Sequence, residues 1–154
     1  VRGYRAPPFD LSALLSRVPP RTQLVRADRV FGRDHLALAA QLAQRAVEEG
    51  RGRARDLATE TLLHAAGKRQ VAEALSLLGL DAESRAVAVV SWDPPALDAF
   101  AAAEDWRRDD AVLEGDASVL DAFGVGQEER ALLPRERWGD LVLERVALTD
   151  VLKA

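Results

Sequence analysis

The segment Glu60-Thr-Leu-Leu-His-Ala-Ala-Gly-Lys-Arg-Gln-Val-Ala-Glu-Ala74 gathers an imidazole, two cations and an amide around one glycine. Gly67 falls between two helical patterns, which places Lys68, Arg69 and Gln70 at the start of the second. Backbone N–H groups at such a start favour an anion and disfavour cations by ~0.3–1 kcal/mol each. Cations set against the dipole become sensible when a phosphate lies between them and the helix. Gly67 has no side chain and would let a phosphate or a splayed base come close to the backbone. Arg53 and Arg55 lie just upstream and could add a non-specific electrostatic approach. His64, one turn before the glycine, reads as a partly exposed histidine at a helix end, where positive charge suits the dipole. The plainer alternative pairs Arg69 with Glu73 one turn on and makes Gly67 only a helix stop. Residue types alone leave both open.

Other chemistries find little support. The chain has no cysteine, so it has no disulfide framework, thiolate nucleophile or Cys-ligated metal. Its two histidines, His35 and His64, fall in separate predicted helices without metal-ligand spacing. No serine sits on a G-x-S-x-G elbow. Gly124-Val125-Gly126 lacks the third glycine and the leading strand of a dinucleotide fingerprint. A helix-turn-helix reading of the Gly67 segment also fails. Its second helix is mostly Val71, Ala72, Ala74, Leu75, Leu77 and Leu78, with too few polar residues to read a major groove.

The elements that must position this segment alternate between strand and helix. Strands are predicted near 1–5, 22–30, 86–91 and 147–152, the third being the continuous apolar run Ala-Val-Ala-Val-Val. Residues 111–114 read as a short edge strand. Asp10 or Ser12, Asp56 and Asp93 are placed to cap helices, the last followed by Pro94-Pro95 in a first turn that tolerates proline. An amphipathic helix is expected from Asp34 to Glu49, and Gly67 and Gly79 bracket a helix beginning at Gln70. Short helices are expected at 118–123 and 128–133. The pattern predicts one α+β domain, a small and mainly antiparallel sheet covered by helices.

Composition agrees with that class. The 154 residues are 48% apolar, and a chain of this length buries roughly 70% of the surface its unfolded form exposes. No apolar run approaches the ~20 residues of a membrane span, and residues 1–8 lack the apolar stretch of a signal peptide. Together these features point to a soluble cytoplasmic protein. The net charge of −4 hides an asymmetry: residues 1–80 carry 13 basic and 8 acidic side chains, residues 81–129 carry 3 and 13. A basic half of this kind is a weak pointer to a polyanion partner.

The Gly67 segment also carries a family resemblance. Glu60-x-Leu62, then Gly67-x-Arg69-Gln70-Val71 and Ala74, followed by Gly79 and an apolar strand, resembles the small tRNA-binding subunit of the KEOPS complex. This is the family of the p53-related-kinase-binding protein (TPRKB). Val1-Arg-Gly-Tyr-Arg5, Asp110-Ala-Val-Leu-Glu114 and Glu144-Arg-Val-Ala-Leu148 fall in the order the family has them, so the resemblance spans nearly the whole chain. It implies a non-catalytic subunit without a cofactor. Such a subunit binds the complex's kinase-like ATPase and holds tRNA by its 3′ CCA end, supporting synthesis of N6-threonylcarbamoyladenosine. Carried onto this chain, the CCA-contacting residues are His64, Gly67, Lys68, Arg69 and Gln70. The alternative is an interaction scaffold that regulates the kinase-like subunit without touching RNA.

Overall fold

A computed structural model describes residues 1–151 of the chain. Strand β1 (Arg2–Arg5) lies inside the sheet, and β3 (Ala86–Ser91) lies beside it. β2 (Thr22–Arg26) flanks β3, while β4 (Arg107–Arg108) flanks β1, giving the order β2-β3-β1-β4 with every pair antiparallel. Register sets Tyr4 opposite Val87 and Leu24 opposite Val89.

The apolar run in β3 is continuous because both faces of the sheet are covered. Ala88 and Val90 face a core built with Leu36 and Ala39 of α2 (Arg33–Glu48), Leu62 and Leu63 of α3 (Leu57–Ala66) and Leu78 of α4 (Val71–Leu78). Val87 and Val89 face the other way. They pack with Tyr4, with Leu14 of α1 (Leu11–Arg17), with Leu97 and Phe100 of α5 (Pro94–Ala103), and with Trp106. A third cluster joins Leu120 of α6 (Ala117–Ala122) and Val125 to Leu141 and Val142 of α8 (Gly139–Val151). Between them runs α7 (Gln127–Ala131). No helix among the described residues is long and apolar enough to cross a membrane.

Aspartate caps start the helices. Asp10, Asp56 and Asp93 accept from the backbone N–H of Ala13, Thr59 and Ala96, as the sequence predicts, and Asp116 does the same for Ser118.

Three sequence expectations are corrected. The strand expected near 147–152 is the last part of α8, with residue 152 outside the described residues; Leu141, Val142, Val146 and Thr149 are buried at helical spacing. The strand expected over 22–30 ends at Arg26, because residues 27–29 turn into a short 3-10 helix. Residues 110–113 form another such turn rather than an edge strand, and Arg107–Arg108 supplies the fourth strand instead. The α+β class with a small antiparallel sheet under helices stands.

Candidate nucleic-acid interface at the Gly67 turn

Helix α3 is the most enclosed element near the turn, with every residue from Glu60 to Ala66 buried. It ends on Gly67 in the left-handed region, φ 65° and ψ 32°. The Gly67 N–H donates to the His64 carbonyl at 3.1 Å, and the Lys68 N–H donates to the Leu63 carbonyl at 3.0 Å. These two bonds are the paired closure of a glycine C-cap. A Cβ at residue 67 would sit 3.4 Å from the Arg145 carbonyl oxygen and 3.6 Å from the Thr149 hydroxyl of α8. Gly67 is thus fixed by helix termination and by the approach of α8.

The residues after it stand clear of the core. Lys68 is half-buried, and Arg69 and Gln70 are exposed. Gln70 caps α4 without a side-chain hydrogen bond, and among the described residues no side chain bonds to the first-turn N–H groups of this helix. Val71, Ala72 and Glu73, which carry those groups, are all exposed. The ion pair between Arg69 and Glu73 does not form. Among the described residues, Lys68, Arg69 and Glu73 make no ion pair at all.

His64 is elsewhere. Its side chain is 0% exposed, where a partly exposed helix-end histidine was expected. Packing of α3 against α2, β2 and α8 encloses the ring. Its Nε2 lies 3.3 Å from Glu60 Oε1, one turn back and equally buried. The second oxygen of Glu60 accepts the backbone N–H groups of Arg53 and Ala54, both at 2.8 Å. A buried carboxylate therefore ties the arginine-rich 51–55 loop to the inside of α3. The Glu60-x-x-x-His64 spacing signals only that the two side chains meet on one helix face, and neither their burial nor the tie to the loop.

The other histidine is a buried strut. His35 Nδ1 accepts the Phe31 N–H at 3.1 Å, and Nε2 bonds the Ala65 carbonyl at 2.8 Å. Those partners select the neutral form protonated on Nε2, and burial pushes the pKa down to about 4.

Two hollows flank the turn, each of about 330 Å³. One lies among Gly67, Lys68, Leu77, Phe123, Gly124 and Arg145. The other lies among Arg29, Lys68, Glu73, Ser76 and Leu77. Sequence reading missed Phe123, Gly124 and Arg145, which reach the turn only through the packing of α8. Arg145 donates to the Phe123 carbonyl at 3.0 Å and pairs with Glu129 at 2.9 Å, which pins the Gly124 turn in place.

Comparison with known proteins adds a family. No curated protein matches the chain. A family model described as "Kinase binding protein CGI-121" matches residues 11–149, nearly the full length of the chain, and the chain belongs to that family of kinase-binding proteins.

Proposed function

We propose that this chain is a non-catalytic accessory subunit that holds the 3′ CCA end of tRNA at Gly67, Lys68, Arg69 and Gln70. In the same reading it binds the kinase-like ATPase of KEOPS and supports N6-threonylcarbamoyladenosine formation. The observation that carries the RNA half is the state of the turn. Among the described residues, two cations without ion-pair partners and an exposed amide sit beside helix N–H groups that no side chain caps. Single-stranded RNA ends are gripped by such sets: charge and helix N–H groups on phosphate, and amide or guanidinium groups on base edges. A protein of net negative charge can do this because few phosphates are contacted. The buried His64 contributes from below, through its carbonyl bond to Gly67 rather than its ring.

The family supports the second half, since its members are kinase-binding proteins. It also favours the rival reading, a scaffold that regulates the kinase-like subunit without RNA contact. The two separate in one titration. Filter binding at a single low salt concentration would compare full-length tRNA, the same tRNA trimmed of its CCA, and an Arg69→Glu variant. The tRNA reading expects binding that falls at least about tenfold on trimming and on substitution, while affinity for the kinase-like partner is unchanged. Equal binding of both tRNAs, or none, with partner affinity retained, leaves the scaffold.

A further inference from the structure

Strand β2 stands at one end of the sheet order, so one of its edges has no partner strand. The Trp92 N–H donates to the directly opposed Arg21 carbonyl at 3.0 Å, and the next residue, Thr22, lies opposite Ser91. Hydrogen-bonded and non-bonded pairs alternate in an antiparallel ladder, so Thr22 and Leu24 turn their backbone N–H and C=O groups outward. Among the described residues neither N–H finds an acceptor there. The Leu24 carbonyl takes the side-chain amide of its own neighbour Gln23, at 3.0 Å. This edge opens into a hollow of about 320 Å³. Leu15 and Val18 of the α1 end line one side of it, on the face of the sheet where Leu24 packs. Arg55 and Thr59 at the start of α3 line the other, and Arg21 joins them.

The cations here are largely unmatched. Arg21 and Arg53 are exposed and make no ion pair among the described residues. Arg55 approaches Asp56 at 3.5 Å with its side chain 89% exposed, and that carboxylate is engaged in capping α3. Glu60 already holds the loop carrying Arg53 and Arg55 in place, which lowers the cost of ordering it on binding. We infer that the β2 edge takes up an extended, acidic segment of a protein partner as an added strand. Main-chain bonds form at Thr22 and Leu24 and displace the Gln23 amide, as in strand addition to a free sheet edge. Side chains of the added strand alternate between the two faces. Its carboxylates meet Arg21 and Arg55 on the α3 side in charge-assisted pairs, and its apolar side chains meet Leu15 and Val18. A phosphate backbone would satisfy the arginines but leave the outward C=O groups and the apolar wall unmatched. The site lies at the opposite end of α3 from Gly67 and is independent of the RNA reading.

The experiment follows the fluorescence anisotropy of a labelled heptapeptide alternating glutamate with valine, titrated with the full chain at fixed salt. Companion probes carry glutamine for glutamate, or methyl groups on the backbone nitrogens, and a short oligouridylate serves as competitor. The proteins are the native chain, Arg21→Gly, and Arg107→Ala at the opposite edge of the sheet, each checked by thermal melting. Glycine suits the Arg21 backbone, whose φ is 58°, so that variant keeps the fold. The native chain should bind the glutamate peptide at least about tenfold more tightly than the glutamine and N-methylated forms. Arg21→Gly should weaken it about tenfold, and Arg107→Ala should leave it unchanged. Amide hydrogen exchange at Thr22 and Leu24 should slow in the bound chain. Equal affinity for the N-methylated peptide, or unchanged exchange at those two amides, overturns strand addition. Equal affinity for the glutamine peptide, or full affinity in Arg21→Gly, overturns the recognition of acidic side chains. Failure to bind the heptapeptide overturns both, and its displacement by oligouridylate assigns the hollow to nucleic acid instead.

Discussion

His35 bonds on both ring nitrogens, so it has no room for a second proton without breaking the bond from the Phe31 N–H. Its folded pKa of about 4 lies below the ordinary value of 6.5 that the unfolded chain regains. Between those values the unfolded chain binds a proton that the folded one refuses. Stability is therefore complete above about pH 6.5 and falls as pH drops toward 4, by an amount on the order of 3 kcal/mol. Urea unfolding at pH 7 and at pH 5 should show the loss, and His35→Gln should flatten it while lowering stability at pH 7. Gly67 gives a second prediction at this scale. An alanine there must hold φ near 65° with its methyl group against the Arg145 carbonyl, so Gly67→Ala should destabilise by about 1–2 kcal/mol. Denaturant midpoints at constant slope would measure it. Of the residues gathered at the turn, Lys68, Arg69 and Gln70 were legible in the sequence because a glycine stop followed by cations is a local pattern. Phe123 and Arg145 were not, since only the tertiary packing of α8 brings them to the turn. Burial of His64 was hidden for the same reason: a ten-residue helix enclosed on every side has no solvent stripe to reveal its orientation.

Among the elements, β1 depends most on what surrounds it. Gly3 sits so close to the 3-10 turn at 110–113 that a Cβ would lie 2.6 Å from a Val112 methyl and 2.7 Å from the Asp109 carbonyl oxygen. Its N–H donates to Asp110 at 2.8 Å. That carboxylate also receives Arg108, and the two contacts hold its pKa down at about 2. Gly3→Ala should therefore push the turn off β1 and destabilise by roughly 2 kcal/mol, read as a lower urea midpoint. Helix starts were the easiest elements to read, because an aspartate cap acts within three residues. The end of α8 was misread because Val146 to Val151 mixes apolar and β-branched residues over a span too short to separate the two periods. β4 carried no strand signal: two arginines earn their place by pairing with the edge of β1.

On the scale of the whole molecule, folding brings part of the basic first half against the acidic middle. Arg2 pairs with Asp98, Arg5 with Asp109, Arg17 with Glu104 and Arg26 with Asp81. Each bridge joins the basic first half to the acidic middle and so offsets four of its positive charges. Lys68 and Arg69 stand outside this pairing. RNA binding through those two cations should then show a shallow salt dependence, with log affinity against log salt sloping at roughly −1.5. A slope steeper than about −3 would mean that further arginines take part. The place of β1 inside the sheet also bears on how the chain is made. Synthesis delivers β1 before β2, β3 and β4, yet Tyr4 waits for Val87 and the Gly3 amide waits for a carboxylate 107 positions later. Meanwhile α2, α3 and α4 can assemble locally, leaving bare the apolar side that Ala88 and Val90 later cover. Such distant pairing slows folding and leaves a nascent chain sticky in the interval. Pulse-labelling hydrogen exchange should find β1 amides protected late, together with those of β3 and after those of α2.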